Sequence, residues 1–164
     1  MNTGGFSIVL LTGVLSFLFF IYVAILAAAL FYMLISYTFE SIAIMRMGKS
    51  RKFAAWIPFY NKYLLGKIAG NKVLGALSGV LTLAQIALSL YFYIFQKFEP
   101  VLFVVLLLCC IVNFIFNAVM AHKIFADRTS KCADVLTVAN IITLGLLQSV
   151  FIFALRNKKV YIAE

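Results

Sequence analysis

Four long apolar runs separated by short basic or polar stretches set the pattern of this chain. The first extends from Phe6 to Phe39 without one charged residue. The second runs from about Val73 to Phe95, the third from Pro100 to Ala121 and the fourth from Val135 to Leu155. About 20 apolar residues in a helix cross the ~30 Å hydrocarbon layer of a bilayer. The runs lack the alternation of barrel strands, so each is read as a helix that satisfies its own backbone in lipid. As one helix the first run would be ~51 Å long. It therefore counts as a single span, over about 13–39, that tilts or projects along the outer interface. Pro100 stands where a helix tolerates proline, in its first turn, and Lys97-Phe98-Glu99 forms a short hairpin between the second and third spans, taken as about 73–95 and 100–121. The fourth span is placed at about 135–155.

Between the first two runs lies RKFAAWIPFYNKYLLGKIAG, residues 51–70, too apolar for a solvated loop and too basic for a span. Pro58 can start a helix there, and Ile57, Tyr60, Leu64 and Ile68 recur at helical spacing to give one apolar side. Trp56, Tyr60 and Tyr63 suit the headgroup level, and Lys62 and Lys67 can snorkel to lipid phosphates. The segment is expected to be an interfacial helix on the cytoplasmic surface, drawn to anionic headgroups by ~1 kcal/mol per basic residue. The alternative is a packed re-entrant elbow making internal contacts only.

Composition supports the membrane reading. Of 164 residues, 65% are hydrophobic and only 12% charged, and the mean hydropathy is +1.10, which excludes an ordinary soluble domain. The chain is expected to form one membrane domain, residues 1–164. The net charge of +9 sits in short segments flanking the apolar runs, the distribution of orientation signals rather than of a nucleic-acid surface, so no nucleic-acid partner is expected. In a four-span arrangement ten Lys and Arg fall in the connections 46–72 and 122–134, against four at Lys97, Arg156, Lys158 and Lys159. That bias puts the first connection in the cytoplasm and both termini outside. The basic cluster after Leu155 would then lie on the wrong side, unless the fourth segment dips in and returns. The N-terminal run lacks a basic leader and is far longer than a signal-peptide core, so it reads as a retained span.

Polar residues inside the runs are uncharged. Gly75, Ser78, Thr82, Gln85 and Ser89 form one stripe of the second span, Asn113 and Asn117 are one turn apart in the third, and Thr137, Asn140 and Gln148 share a side of the fourth. Small residues let helices approach and Asn or Gln bond across the contact, so Ser78, Thr82, Gln85, Asn113, Asn117, Asn140 and Gln148 are read as a packing seam. The sharper alternative is a polar pathway. Glu40, at the inner end of the first span, is a candidate inner-mouth charge; its structural role would be an ion pair with Arg46 or a headgroup-level lysine. His122 is read as an interfacial cap. Cys109, Cys110 and Cys132 have no metal-binding or disulfide spacing, and no nucleophile–base pair, paired Asp or phosphate loop is present. No cofactor, metal or catalytic activity is expected.

The motif Ala55-Trp56-Ile57-Pro58, with Asn61, Tyr63, Leu65-Gly66 and Ile68-Ala69, resembles the A-W-I-P-x-x-N-x-Y-x-L-G-x-I-A signature of a group of small uncharacterised bacterial four-span membrane proteins. Ser130-Lys131-Cys132 and Phe151 to Lys158 extend the likeness. The chain departs from that group in having Gln148-Ser149-Val150 where a proline is usual. The resemblance implies an architecture in the bacterial cell membrane and carries no activity. The expected fold is thus an all-α integral membrane bundle of four transmembrane helices, with a cytoplasmic interfacial or re-entrant helix after the first. The expected function is a non-catalytic, self-associating scaffold or small accessory subunit whose partner is itself or another membrane protein. The alternative is an oligomeric channel or small-solute transporter with an uncharged polar lining.

Overall fold

The computed structural model describes residues 3–48, 53–97, 99–129, 132–158 and 160. It is all-helical: α1 (Thr3–Gly48), a 3-10 turn (Ala54–Trp56), α2 (Pro58–Ile68), α3 (Lys72–Phe95), α4 (Pro100–Arg128), α5 (Ala133–Ile142) and α6 (Gln148–Leu155), with no strand among the described residues. Among the described residues three helices are long and apolar enough to cross a membrane: α1 from Leu11, α3 and α4. The backbone forms two compact units, Met1–Tyr37 and Thr38–Glu164.

The first unit is the greater part of α1. Every side chain from Leu11 to Leu30 is exposed, and apolar residues surround the helix on all sides. That is the composition of a membrane span rather than of a surface helix with one greasy face.

The second unit begins with the last turns of α1. Pro58 occupies the first turn of α2, where its missing N–H costs nothing and its fixed φ suits a helix. Gly70 ends α2 with φ +75°, a left-handed conformation that a glycine adopts without strain. Its N–H donates to the Lys67 carbonyl at 3.3 Å, and the Asn71 N–H donates to the Gly66 carbonyl at 2.8 Å, a Schellman cap. Asn71 Oδ1 then accepts the Leu74 N–H at 3.0 Å and so caps the start of α3. The chain thereby folds back within three residues, and α2 runs antiparallel along the first turns of α3. Gly66 meets Gly75 backbone to backbone, and a methyl group built on Gly79 would stand 2.7 Å from the Phe59 carbonyl oxygen. The segment expected to form an interfacial helix is a helix, and it packs as the first arm of a tight helical hairpin with α3. Its residues 51 and 52 lie outside the described residues.

Helices α3 and α4 form a second antiparallel pair, joined through Gln96, Lys97 and Glu99, with Phe98 outside the described residues. Tyr91 Oη donates to Glu99 Oε1 across the turn at 2.7 Å. Helix α4 begins at Pro100 as expected but continues to Arg128, past the predicted end at Ala121.

The fourth apolar run departs most from expectation. It is not one helix over 135–155 but two, of 10 and 8 residues. Leu144 (φ +51°) and Gly145 (φ +83°) break it. The Gly145 N–H donates to the Asn140 carbonyl at 2.8 Å and the Leu144 N–H to the Ile141 carbonyl at 3.0 Å, a second Schellman cap. Helix α5 starts just beyond the end of α4 and runs back along it, so that Gly145 comes beside the Phe114 ring. Helix α6 then returns: Phe151 packs edge-on against Phe125, ring centroids 6.0 Å apart, and Arg128 holds the end of α6. Both ends of the segment therefore lie at the same end of α4. Ile44, Leu65, Met120, Ile124, Phe125 and Ile152 form the apolar core where the end of α1, α2, the second half of α4 and α6 meet.

Candidate functional site

The uncharged polar residues of α3 and α4 converge in one seam. Ser78 Oγ donates to Asn113 Oδ1 at 2.6 Å. Asn113 Nδ2 donates to Thr82 Oγ1 at 3.2 Å and to Gln85 Oε1 at 3.1 Å. One turn along, Asn117 Nδ2 lies within 3.3 Å of Ser78 Oγ, 3.1 Å of Asn113 Oδ1 and 2.7 Å of the Asn113 carbonyl. Helical spacing brings these five side chains to facing stripes, and a low-dielectric surround strengthens each bond among them. Asn117 Oδ1 is the one buried side-chain oxygen of this seam that accepts no hydrogen bond. The other two residues expected in the same group are elsewhere. Asn140 and Gln148 pair with each other across the α5–α6 break at 3.4 Å, and do not reach the seam.

A second buried network surrounds Glu40, which is only 6% exposed. Its Oε1 accepts the Lys62 ammonium at 2.7 Å, and its Oε2 accepts Ser149 Oγ at 3.5 Å. The carboxylate thus joins the last turns of α1 to α2 on one side and α6 on the other. Next to it Ser41 Oγ donates to the Ala55 carbonyl at 3.1 Å, while Asn61 Nδ2 donates to that carbonyl at 2.9 Å and to Ser41 Oγ at 3.2 Å. A charge removed from water is costly unless paired and hydrogen-bonded, and Glu40 is both. Sequence reasoning offered Arg46 or a headgroup-level lysine as its partner; Lys62 is the partner and Arg46 is exposed. Lys62, read from the sequence as an interface residue, reaches Glu40 with its side chain still 19% exposed.

The remaining interface candidates divide. Trp56 (41% exposed) and Tyr60 stay on the outside of the α2–α3 hairpin, as does Lys67, and Tyr60 packs on the half-buried Tyr63 with ring centroids 5.6 Å apart. Pro58 acts as a helix start.

Two interactions were missed by the reading of the sequence. Arg128 Nη1 donates to the Leu155 carbonyl at 3.3 Å and to the Lys158 carbonyl, where α6 leaves carbonyls without helical partners. His122 Nδ1 lies 2.8 Å from Thr137 Oγ1. Thr137 Oγ1 also lies 2.8 Å from the Ala133 carbonyl oxygen one turn back in α5, to which it donates. Neither pairing has a local sequence signal, since each joins residues 15 to 30 positions apart on separate helices. Among the described residues no three His, Cys, Asp or Glu side chains group as a metal site. Cys109, Cys110 and Cys132 are free thiols. No family model, curated protein or solved structure matches this chain.

Proposed function

We propose that this chain is a non-catalytic membrane component, a self-associating scaffold or the small subunit of a larger membrane complex. The observation that carries this reading is the use of its polar groups. Ser78, Thr82, Gln85, Asn113 and Asn117 bond to one another between α3 and α4 rather than facing a common passage. Such contacts fix the register of packed helices in lipid. The exposed, uncharged α1 residues Leu11–Leu30 supply a surface suited to lipid or to another helix.

The arrangement in the membrane follows from the charge. In this reading α1, α3 and α4 cross the bilayer, while α2 and the α5–α6 pair are partly inserted arms packed on α3 and α4. The tail after Leu155 then shares a side with the first connection. Seven Lys and Arg in 46–72, three in 122–134 and three in 156–159 face the cytoplasm, and Lys97 alone faces outward. The four-span arrangement left Arg156, Lys158 and Lys159 on the wrong side; three spans with a returning hairpin remove that conflict. The N-terminal end of α1 is outside and the described C-terminal residues are inside.

Native mass measurement in mild detergent tests the functional reading. The expected result is a discrete oligomer or a co-purifying membrane partner, and a lone monomer overturns it. Thiol labelling of single cysteines placed at Lys67 and Asn157 in a protein otherwise free of cysteine tests the topology. Both should label from the cytoplasmic side only.

A further inference from the structure

The face of α4 opposite its core carries a groove that the two networks leave unused. It lies between α4 and α5 as an open groove of about 530 Å³, and is lined by Phe114, Ala118 and Val119 on α4 and by Ile141 on α5. At its far end stand His122, Lys123 and Thr137. The volume falls within the usual range for a ligand site. Gly145 packed on the Phe114 ring lies at the apolar end, away from His122 and Lys123.

Its polarity runs in the same direction as that of a lipid. The uncharged length of α4, Pro100 to Ala121, is ~33 Å, which matches a ~30 Å hydrocarbon layer and puts Lys123 at headgroup depth. From Phe114 to His122 is ~12 Å along the helix, all of it apolar side chain facing α5. The Thr137 contact holds the His122 ring at the rim of the groove. The acidic groups of the same helices, Asp127 and Asp134, each lie about one turn further toward water, leaving a cation nearest the apolar slot.

We infer that this groove is a binding site for one anionic phospholipid, its acyl chain between α4 and α5 and its phosphate at Lys123. This occupant is favoured by charge complementarity at one end and apolarity at the other; a zwitterionic lipid matches only the second. The inference rests on the membrane arrangement proposed above, because it needs Lys123 at the headgroup level.

Native mass spectrometry of the full chain tests it, with dioleoylphosphatidylglycerol or dioleoylphosphatidylcholine added to the detergent. One phosphatidylglycerol per chain should survive, retained several-fold better than phosphatidylcholine. Lys123→Gln should weaken that retention about fivefold, the equivalent of ~1 kcal/mol for one basic residue near a headgroup. Lys67→Gln, a basic residue outside the groove, should change it less than twofold. Equal retention of the two lipids, or an equal loss from both variants, would overturn the site. A phosphatidylglycerol with a photoreactive group in its acyl chain provides a second readout on the unmodified protein. It should label peptides within 114–123 and 137–141, and labelling elsewhere rejects the assignment whatever the variants do. Subunit number is read from the same spectra, so a monomer that keeps its lipid refutes the scaffold reading alone. An oligomer without lipid preference refutes the groove alone.

Discussion

The two hairpins that begin or end in a short helix, α2–α3 and α5–α6, solve one problem by different means. Each reverses an apolar chain through a Schellman cap, and each rests against a long helix. In the first, the turn residue is Gly70 and the arms touch through Gly66, Gly75 and Gly79, so that backbone meets backbone. In the second, the left-handed positions are Leu144 and Gly145, and side chains make the ties: Asn140 to Gln148 between the arms, and Thr137 to His122 and the end of α6 to Arg128 from the arms to α4. Close backbone approach depends on sterics that tolerate no added atom. Side-chain ties depend on pairings that can be lost one at a time. The first hairpin should therefore fail abruptly on substitution and the second in steps.

The sharpest break is Gly66→Leu. A methyl group at Gly66 already overlaps the Gly75 backbone, and neither helix can yield without parting from the other. Overpacking of this kind costs about 3 kcal/mol or more, against less than about 1 kcal/mol for Gly13→Leu, where nothing lies within 4 Å. Reversible unfolding in mixed micelles measures both. Equal effects at the two glycines would show that the α2–α3 contact is not needed for stability.

Glu40 permits the two hairpins to be compared at one atom pair, since each carboxylate oxygen serves a different one. Lys62→Met leaves a buried anion with only a long contact to Ser149, and should cost about 2 kcal/mol, lowered from the cost of a fully buried pair because Lys62 is 19% exposed. Ser149→Ala removes a hydrogen bond of 3.5 Å and should cost about 0.5 kcal/mol. Combining Lys62→Met with Glu40→Gln should restore most of the loss, because no unpaired charge then remains. The same unfolding measurement decides the order. A coupling of Glu40 to Ser149 that exceeds its coupling to Lys62 in double-mutant cycles would make the α6 side the principal anchor of Glu40.

These contrasts also explain what the sequence disclosed. The long helices were legible because lipid-scale apolar runs with charged ends constrain the backbone strongly, and Pro58 and Pro100 mark helix starts. The α3–α4 seam was legible as well: Ser78, Thr82 and Gln85 share one face at helical spacing, as do Asn113 and Asn117. Asn140 and Gln148 were grouped with them only on the assumption of a continuous helix, which the break at Leu144 removes. Composition could not show that break, because residues 143–147 are as apolar as a span apart from Thr143. The faint signal was Gly145 in mid-run, together with a basic tail on the wrong side of a four-span arrangement. Which lysine pairs with Glu40 was not legible, because Lys62 stands 22 residues later in the sequence and only the fold brings it next to the carboxylate.

The smallest expected effect has the opposite sign. Leu144 holds φ +51° and is 78% exposed, so its side chain contributes little packing within the chain while its backbone occupies a region that disfavours side chains. Gly70 occupies the corresponding position of the first hairpin at no such cost. Leu144→Gly should therefore stabilise the fold by about 0.5–1 kcal/mol in detergent, the strain relieved exceeding the entropy that glycine adds to the unfolded chain. In bilayers the gain should shrink if the Leu144 side chain is seated in hydrocarbon, since burial of an apolar side chain in lipid opposes its removal. Comparing the two media separates backbone strain from anchoring. A loss of stability in detergent would mean that the left-handed leucine is not strained and that the turn of α5–α6 is held by the side chain itself.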